Sequence, residues 1–179
     1  MLLVISIATS QEIQGIKSVY LLLLQLEIPL STVMKAAEIA NKHGVKIILN
    51  PAPVQSLPRS LLNMVDYLTP YEYELMYFKG VKDLQEKLIV TQGSKGVLLY
   101  ENGKEKQIEA HKVKVLDTTG AGDTFNEALA VSLSKGDSLY QACRYGNAAA
   151  ALSVMKFGAQ GGMPVTEEVG KFLQINIPG

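Results

Sequence analysis

The sequence predicts an α/β protein built on a mostly parallel sheet. Three apolar runs of strand length occur at Leu2–Ala8, Val19–Leu26 and Val45–Leu49, and a helical pattern lies between the last two. The second run is almost entirely apolar, which is typical of a strand covered on both faces of a parallel sheet. Strands and helices that alternate at this spacing favour right-handed crossovers.

Composition limits the classes of function. The chain has 179 residues with 47% hydrophobic side chains, enough for one domain with a sizeable core. The formal net charge is zero and the pI is near 6.7, so we expect neither nucleic acid nor a membrane surface as a partner. One cysteine, Cys143, favours a reduced, cytoplasmic setting. The apolar start, Met1–Ala8, is predicted to be a buried strand rather than a signal peptide.

The first half of the chain reads as strand and helix in turn. Ser31 is predicted to cap a helix that ends at Gly44, with an apolar stripe formed by Val33, Met34, Ala37 and Ala40. A turn follows at Pro51–Pro53, then a short helix at Leu57–Met64 and a short strand at Val65–Leu68.

The second half contains a predicted strand at Leu88–Thr91 and a glycine-rich turn that ends at Gly96. Two further strands, Leu98–Tyr100 and Lys106–Ala110, flank a turn at Glu101–Gly103. An alanine-rich helix is predicted for Ser138–Lys156, and the segment Gly158–Gly162 ends it.

The stretch Lys114–Leu133 carries the main functional signal. A β-branched run at Val113–Leu116 predicts a strand that ends at Asp117. Gly120 and Gly122 break the strand pattern, and from Asp123 a helical face begins with Phe125, Ala128, Leu129 and Leu133.

A glycine-rich turn at a helix start is a natural anion site, because unpaired backbone N–H groups and the helix dipole both point at the ligand. A carboxylate at the same place, Asp123, suits a base that deprotonates a hydroxyl during phosphoryl transfer. Aspartate is also a common N-cap, and the spacing alone leaves both roles open. The P-loop and dinucleotide motifs are absent.

Several segments together resemble one family. The motif DTTGAGDTFN at 117–126 resembles the signature of the ribokinase (PfkB-type) family of carbohydrate kinases. Further similar segments follow in the family order at 22–30, 50–53, 69–74, 90–97 and 156–160. The resemblance implies a ribokinase-like three-layer α/β fold, with residues 1–179 forming the C-terminal, ATP-binding portion of the domain. The early strands, the lid and a Gly-Gly sugar motif of the family are not found. It also implies ATP-dependent phosphorylation of a sugar hydroxyl, with ribose favoured.

The resemblance also implies site residues. Asp123 would be the catalytic base, beside an oxyanion-binding turn formed by Gly120, Ala121 and Gly122. Glu27 would contact the sugar, although by pattern it is also an ordinary loop acid. The nucleotide-binding residues implied are Tyr71, Thr91, Gln92, Gly93, Ser94, Lys95, Gly96, Gly122, Asp123 and Asn147.

Two metal sites are implied in the same way. Glu74 would act on Mg²⁺ through water, since magnesium holds its waters tightly; an exposed helix acid is the alternative. A K⁺ site would be formed, mostly by backbone carbonyls, from Asp117, Thr119, Ser153, Lys156, Gly158 and Gly162.

The chain departs from the family pattern at several positions. Tyr71 stands where the family has Asn, Glu127 where it usually has Gly, and Gly162 where Ser is common; the crossover 71–87 is also short. A second hypothesis is therefore a truncated relative that only binds nucleotide, or that forms a homodimer or other assembly through exposed sheet edges. A third is an interaction module that does not use nucleotide.

Overall fold

The structure is a computed structural model that describes residues 2–5, 20–78 and 82–175. Its contacts divide the chain into two compact units. The first comprises the described residues of Met1–Thr91 and Leu98–Lys106, and the second those of Gln92–Val97 and Gln107–Gly179.

The first unit is built on a four-stranded parallel sheet with strand order β1-β2-β3-β4. The strands are β1 (Leu2–Ile5), β2 (Leu21–Gln25), β3 (Lys46–Asn50) and β4 (Tyr67–Leu68). In register, Leu2 pairs with Leu21, Gln25 with Asn50 and Leu49 with Leu68. Residues 21–24 are at most 2% exposed, which explains why polar side chains do not alternate along this strand. The predicted parallel sheet is confirmed.

Helices lie between the last three of these strands. Helix α1 (Leu30–Lys42) joins β2 to β3, and helix α2 (Arg59–Met64) precedes β4. The predicted cap at Ser31 is wrong: Pro29 is the N-cap, and Ser31 lies inside the first turn. The predicted stop is correct, because Gly44 has a φ of +66° just after the C-cap His43.

The core of the first unit is one apolar cluster that the sheet shares with its helices. Val33, Ala36, Ala37 and Ala40 form the buried stripe of α1. The cluster also includes Leu22, Leu24, Leu26, Val45, Ile47, Leu49, Leu61, Leu62, Val65, Leu68, Phe78, Leu84, Leu88 and Val90.

The described part of the crossover after β4 contains two 3₁₀ helices, Glu74–Phe78 and Lys82–Lys87. A second sheet follows with strand order β5-β6-β7, formed by β5 (Ile89–Thr91), β6 (Val97–Glu101) and β7 (Lys104–Ile108). Asn102 and Gly103 connect the last two strands with φ of 56° and 72°, which is typical of a type I′ hairpin turn. The three predicted strands are present, but the last begins and ends two residues earlier than predicted, at Lys104 and Ile108 rather than Lys106 and Ala110.

The second unit is mainly helical. Its helices are α3 (Ala121–Ser134), α4 (Leu139–Ser153), the single turn α5 (Ala159–Gly162) and α6 (Thr166–Ile175). Helices α3 and α4 pack closely because Gly146 faces the ring of Phe125; an added Cβ there would lie 2.9 Å from the ring. The thiol of Cys143, which forms no disulfide, is fully buried on α4. Ser138 and Gln141 form a capping box at the start of α4.

Three sequence predictions for the second unit need correction. Residues 113–116 do not form a strand: the N–H of Leu116 donates to the carbonyl of Val154 at 2.7 Å instead of joining a ladder. Helix α3 begins at Ala121, two residues earlier than predicted, and α4 ends at Ser153 rather than Lys156. Helix α6 was not predicted.

Only part of the predicted first strand can be compared. Leu2–Ile5 forms β1, whereas residues 6–8 lie outside the described residues. Among the helices of the described ranges, none has the length and apolar character needed to cross a membrane.

Candidate active site

The turn before α3 is the centre of the candidate site. Gly120 is the N-cap of the helix, in the left-handed conformation with φ 77° and ψ 5°. Its Cα packs on α5, since an added Cβ would lie 2.7 Å from the Cβ of Ala159. Both the φ angle and this contact require glycine at the position.

The first turn of α3 is accessible to solvent at Gly122. Gly122 is exposed, and an added Cβ would meet no atom within 4 Å. Within the described ranges, the Gly122 N–H has no hydrogen-bond acceptor, whereas Ala121 donates to the carbonyl of Thr118 at 3.2 Å. The first turn of α3 therefore offers an accessible donor at the positive end of the helix dipole.

Asp123 is the third residue of α3, and its side chain is exposed. The N-cap alternative for Asp123 is wrong, because Gly120 occupies the cap and no side chain caps the helix. The carboxylate thus stands in the first turn of the helix, on the solvent side of the glycine-rich corner. Its role as a base stays a prediction.

Asp117 organises the loop that precedes the turn. Its Oδ1 accepts hydrogen bonds from the N–H and the hydroxyl of Thr119, at 2.9 and 2.7 Å. Its Oδ2 accepts from the N–H of Gly158 at 3.0 Å. The backbone donors of Thr119 and Gly158, followed by the Thr119 hydroxyl, lower the pKa of Asp117 from 3.8 to about 2.

The segment that follows α4 folds back on the end of that helix. The carbonyl of Ser153 accepts from the N–H of Lys156 at 3.2 Å, and an added Cβ on Gly162 would lie 2.9 Å from the same oxygen. Gly162 in turn donates to the carbonyl of Gly158 at 2.9 Å. The structure therefore brings together the six residues predicted to form a monovalent cation site.

The glycine-rich segment 92–96 forms a tight 3₁₀ turn, Gly93–Lys95. The Gln92 N–H donates to the carbonyl of Gly96 at 2.8 Å, and Gln107 Nε2 donates to the carbonyl of Lys95 at 2.7 Å. Gly96 has φ 95°, and an added Cβ would lie 2.0 Å from the Ile108 carbonyl. Gly93, Ser94 and Lys95 are exposed.

Asn147 lies on α4 and is only 7% exposed. Its Nδ2 donates to the backbone carbonyl of Glu109 at 2.8 Å, which supplies a partner that a buried amide needs. This bond fixes the residues that follow β7 against α4. The predicted contact of Asn147 with a nucleotide base stays a prediction.

The first unit holds the other predicted residues. Tyr71 is 37% exposed, and its ring centroid lies 5.0 Å from that of Tyr73. Glu74 is 4% exposed, and its Oε2 accepts from the N–H of Tyr71 at 2.8 Å, so the alternative of an exposed helix acid is wrong. The carbonyl of Thr91 accepts from the Glu72 N–H at 3.0 Å.

Glu27 is exposed and follows β2, while Asn50 ends the neighbouring strand β3. Polar side chains therefore emerge at the carboxyl edge of this parallel sheet, where open α/β sheets bind ligands.

Two residues near the loop were not predicted to have a function. Thr124 is 3% exposed and its hydroxyl is buried without a hydrogen-bond partner in the described part of the chain. Burial, and then the charge of Asp123, raise the pKa of Glu127. The one sequence signal was that Glu127 replaces a glycine of the resembling family.

Comparison with known proteins identifies the family. Residues 5–166 match the model of the pfkB family of carbohydrate kinases. The chain belongs to the pfkB family. The family expected from the motif DTTGAGDTFN is thereby confirmed, together with the ribokinase-like α/β fold.

Ribokinases are among the similar proteins of this pfkB chain. It is 42% identical to the ribokinase of Haemophilus influenzae over 169 residues, covering 86% of the chain and 55% of that protein. Identity to the ribokinase of Bacillus subtilis is 41% over 168 residues, covering 90% of the chain and 57% of that protein. The chain thus spans little more than half the length of these relatives.

Solved structures agree with this assignment. The Arabidopsis thaliana ribokinase complexed with ribose and ATP superposes with a TM-score of 0.86 at 33% identity, covering 94% of this chain and 60% of that one. The ribokinase of Thermotoga maritima gives a TM-score of 0.80 at 38% identity, covering 90% and 59%.

Proposed function

We propose that this pfkB-family chain takes part in ATP-dependent phosphorylation of a sugar, with D-ribose converted to D-ribose 5-phosphate, and that Asp123 is the base. The observation that carries the proposal is the exposed first turn of α3. There the Gly122 N–H, unpaired among the described residues, and the Asp123 carboxylate share one accessible corner. An anion-binding donor next to a base is the pair that phosphoryl transfer to an alcohol requires.

Each residue of the corner has a proposed role. The backbone amides of Gly120 and Gly122 would face the transferred phosphoryl group and stabilise charge that develops on its oxygens. The Ala121 amide would join them by giving up its bond to the Thr118 carbonyl. Asp123 would accept the proton of the sugar hydroxyl as the new P–O bond forms. Gly120 determines the backbone conformation of the corner. Its φ of 77° would be sterically unfavourable for a residue with a side chain.

The nucleotide would contact the turn 92–96, whose residues 93–95 are exposed, and the segment after β7 that Asn147 holds through the Glu109 carbonyl. Glu27, at the carboxyl edge of the first sheet, is the proposed contact for the sugar. The Arabidopsis ribokinase, at 33% identity to this chain, is complexed with both ribose and ATP, which supports this pair of ligands. The single cysteine agrees with the cytoplasm as the proposed compartment.

The residues fit the expected metals. Among the described residues, no three or more His, Cys, Asp and Glu side chains cluster closely enough to cage an ion. Mg²⁺ would be held by nucleotide phosphates and water, with the buried Glu74 as an outer acceptor. When bound, Mg²⁺ would neutralise phosphate charge. The Ser153 and Gly158 carbonyls and the ionised Asp117 carry oxygens of the kind that bind K⁺, and they would hold it here.

The test is product formation by the purified 179-residue chain. The chain is incubated with ribose, ATP, Mg²⁺ and K⁺, and ³¹P NMR follows the appearance of a sugar phosphate. We expect ribose 5-phosphate, loss of the signal in Asp123→Asn, and slower formation when Na⁺ replaces K⁺. Product formation at an undiminished rate by Asp123→Asn would contradict the assigned base.

A second candidate function is nucleotide binding without transfer, alone or in an assembly through sheet edges. It is favoured by Tyr71, which stands where the resembling family has an Asn that contacts nucleotide. This function predicts stabilisation by MgATP, about 2.7 kcal/mol at about a hundred times the Kd, with no sugar phosphate. Neither stabilisation nor product would reject both candidates.

A further inference from the structure

A cavity of about 120 Å³ lies within the second unit, beside the candidate loop but outside it. None of its lining residues belongs to the predicted catalytic, nucleotide-binding or metal-binding sets. Helices α3, α4 and α6 and the segment 163–164 contribute its walls. Thr124 and Glu127 supply its main polar groups, and Tyr145, Met163, Pro164 and Val169 are among its other walls.

The Thr124 hydroxyl needs a partner that the described residues do not provide. Its side chain lines the cavity, and its Oγ1 is buried without a hydrogen bond. A threonine in a helix often donates its hydroxyl to the carbonyl four residues earlier, which also accepts the N–H bond of the helix. Here the Gly120 carbonyl accepts from the Thr124 N–H at 2.9 Å, and the Thr124 hydroxyl forms no such bond. An unpaired buried hydroxyl is costly, so an occupant of the cavity that bonds to it would be stabilised.

Glu127 is the second polar group. It lies three residues after Thr124, hence on the same helix face, where side chains at this spacing are neighbours. Within the described part of the chain, no donor forms a hydrogen bond or ion pair with its carboxylate. Burial and the nearby Asp123 both raise its pKa, which means that its charged form lacks a compensating cation.

The remaining walls are mostly apolar. Ala128, Val131, Ala149, Met163 and Val169 surround the polar pair, and Thr166 lies at the start of α6. The Tyr145 ring already has a cation over one face, since Lys135 Nζ lies 5.9 Å from its centroid. A ligand therefore needs a small apolar body and one positively charged donor group.

We propose that this cavity binds a small aliphatic primary ammonium ion. Its NH₃⁺ group donates to the Glu127 carboxylate and to the Thr124 hydroxyl, and its short carbon chain packs on the apolar wall. An ammonium has three donors, enough for both oxygens. An anion would be repelled by Glu127 and Asp123, and a neutral alcohol would leave the half-buried carboxylate without a counter-charge.

The test is a titration of the full chain, with methyl-labelled alanine, valine and methionine, followed by NMR. The probe is n-propylammonium chloride, and n-propanol at equal ionic strength is the neutral counterpart. We expect saturable shifts confined to the methyl groups of Ala128, Val131, Ala149, Met163 and Val169. The alcohol should bind about tenfold or more weakly, because a charge-assisted hydrogen bond is lost.

Two variants measure the contributions of Glu127 and Thr124 to binding separately. Glu127→Gln should weaken propylammonium binding by about tenfold or more, and Thr124→Val by less. Glu167→Gln, an exposed acid of α6 that does not line the cavity, should leave it unchanged. Thr124→Val should fold normally, because the hydroxyl that it removes has no hydrogen-bond partner among the described residues. Weaker binding by this variant would therefore reflect a lost contact with the ligand rather than misfolding.

Three results would overturn the proposal. They are shifts that do not saturate, equal affinity for the alcohol, or unchanged affinity in Glu127→Gln. Unperturbed methyl groups would mean that only water occupies the cavity and would also reject the ammonium site. Each of these readouts is independent of phosphoryl transfer, so the kinase proposal and the ammonium proposal can fail separately.

Discussion

The Asp117 carboxylate accepts a hydrogen bond from the Gly158 N–H at 3.0 Å, although 41 positions separate the two residues in the chain. The same carboxylate holds Thr119 through two further bonds. One side chain therefore fixes both the loop that leads to the glycine-rich turn and the segment that follows α4. The corner at Gly120 depends on this link.

Acid should weaken this link. Because the pKa of Asp117 is lowered from 3.8 to about 2 in the folded protein, its stabilising effect is present above about pH 4. It is lost as the pH falls through about 2. A ¹³C NMR titration of the carboxyl group should give a midpoint near 2.

The variant Asp117→Asn gives the matching stability test. The difference in urea midpoint between Asp117→Asn and the unmodified chain should be largest near neutral pH and should shrink as the pH falls below about 4. A difference that stays constant down to about pH 2 would show that the ionised form has no special role.

Removal of the proposed base should affect turnover more than binding. Asp123→Asn keeps the shape of the side chain but cannot accept the sugar proton, so we expect kcat to fall by about 10²–10⁴. The Kd for MgATP should change little. Asp83→Asn is the control, because Asp83 forms an exposed ion pair with Arg59, and such pairs contribute little.

Two glycine substitutions should differ in their effect on stability. Gly120→Ala places a side chain at φ 77° and against Ala159, so unfolding should become easier by about 1–2 kcal/mol or more. Gly122→Ala meets no atom within 4 Å and should be neutral or stabilising by up to about 1 kcal/mol. Urea denaturation measures both.

The second substitution should nevertheless affect the reaction. The new methyl group of Gly122→Ala would stand where the phosphate approaches, and a displacement of about 1 Å can cost on the order of 100-fold in rate. A stable Gly122→Ala variant with an unchanged rate would argue against a phosphate at this turn.

The buried amide of Asn147 provides a fourth prediction. Asn147→Asp replaces the Nδ2 donor by a carboxylate oxygen that faces the Glu109 carbonyl, so the free energy of unfolding should fall by about 1–3 kcal/mol. Asn102→Asp is the matched control, since this exposed turn residue has a φ of 56° that aspartate also tolerates. Equal losses in both variants would contradict the assigned bond.

The sequence predicts much of the first unit because its signals are local. The leucine run 21–24 indicates a buried strand from its own composition, because all four side chains are apolar. Gly44 likewise ends a helix through its own positive φ. By contrast, Val113–Leu116 has the composition of a strand but pairs with none in the described part of the chain, and Val115 and Leu116 are 57% and 44% exposed. Strand formation depends on a partner that composition does not specify.

Helix ends are less predictable. Ser31 and Asp123 are strong cap formers, yet Pro29 and Gly120 occupy the caps. Helix α6 did have a local signal, since Glu167 and Glu168 open its first turn and Val169, Phe172 and Leu173 repeat at helical spacing. Pairs such as Gly120 with Ala159 depend on tertiary packing and have no such signal.

The buried thiol of Cys143 can report local unfolding around α4. A thiol reagent reaches sulfur only when α4 separates from its neighbours, because the residue has no exposed surface. With a single cysteine in the chain, the labelling rate reads out that one event without engineering. Slower labelling on addition of MgATP would then measure how far an occupied nucleotide site tightens the helical half of the molecule.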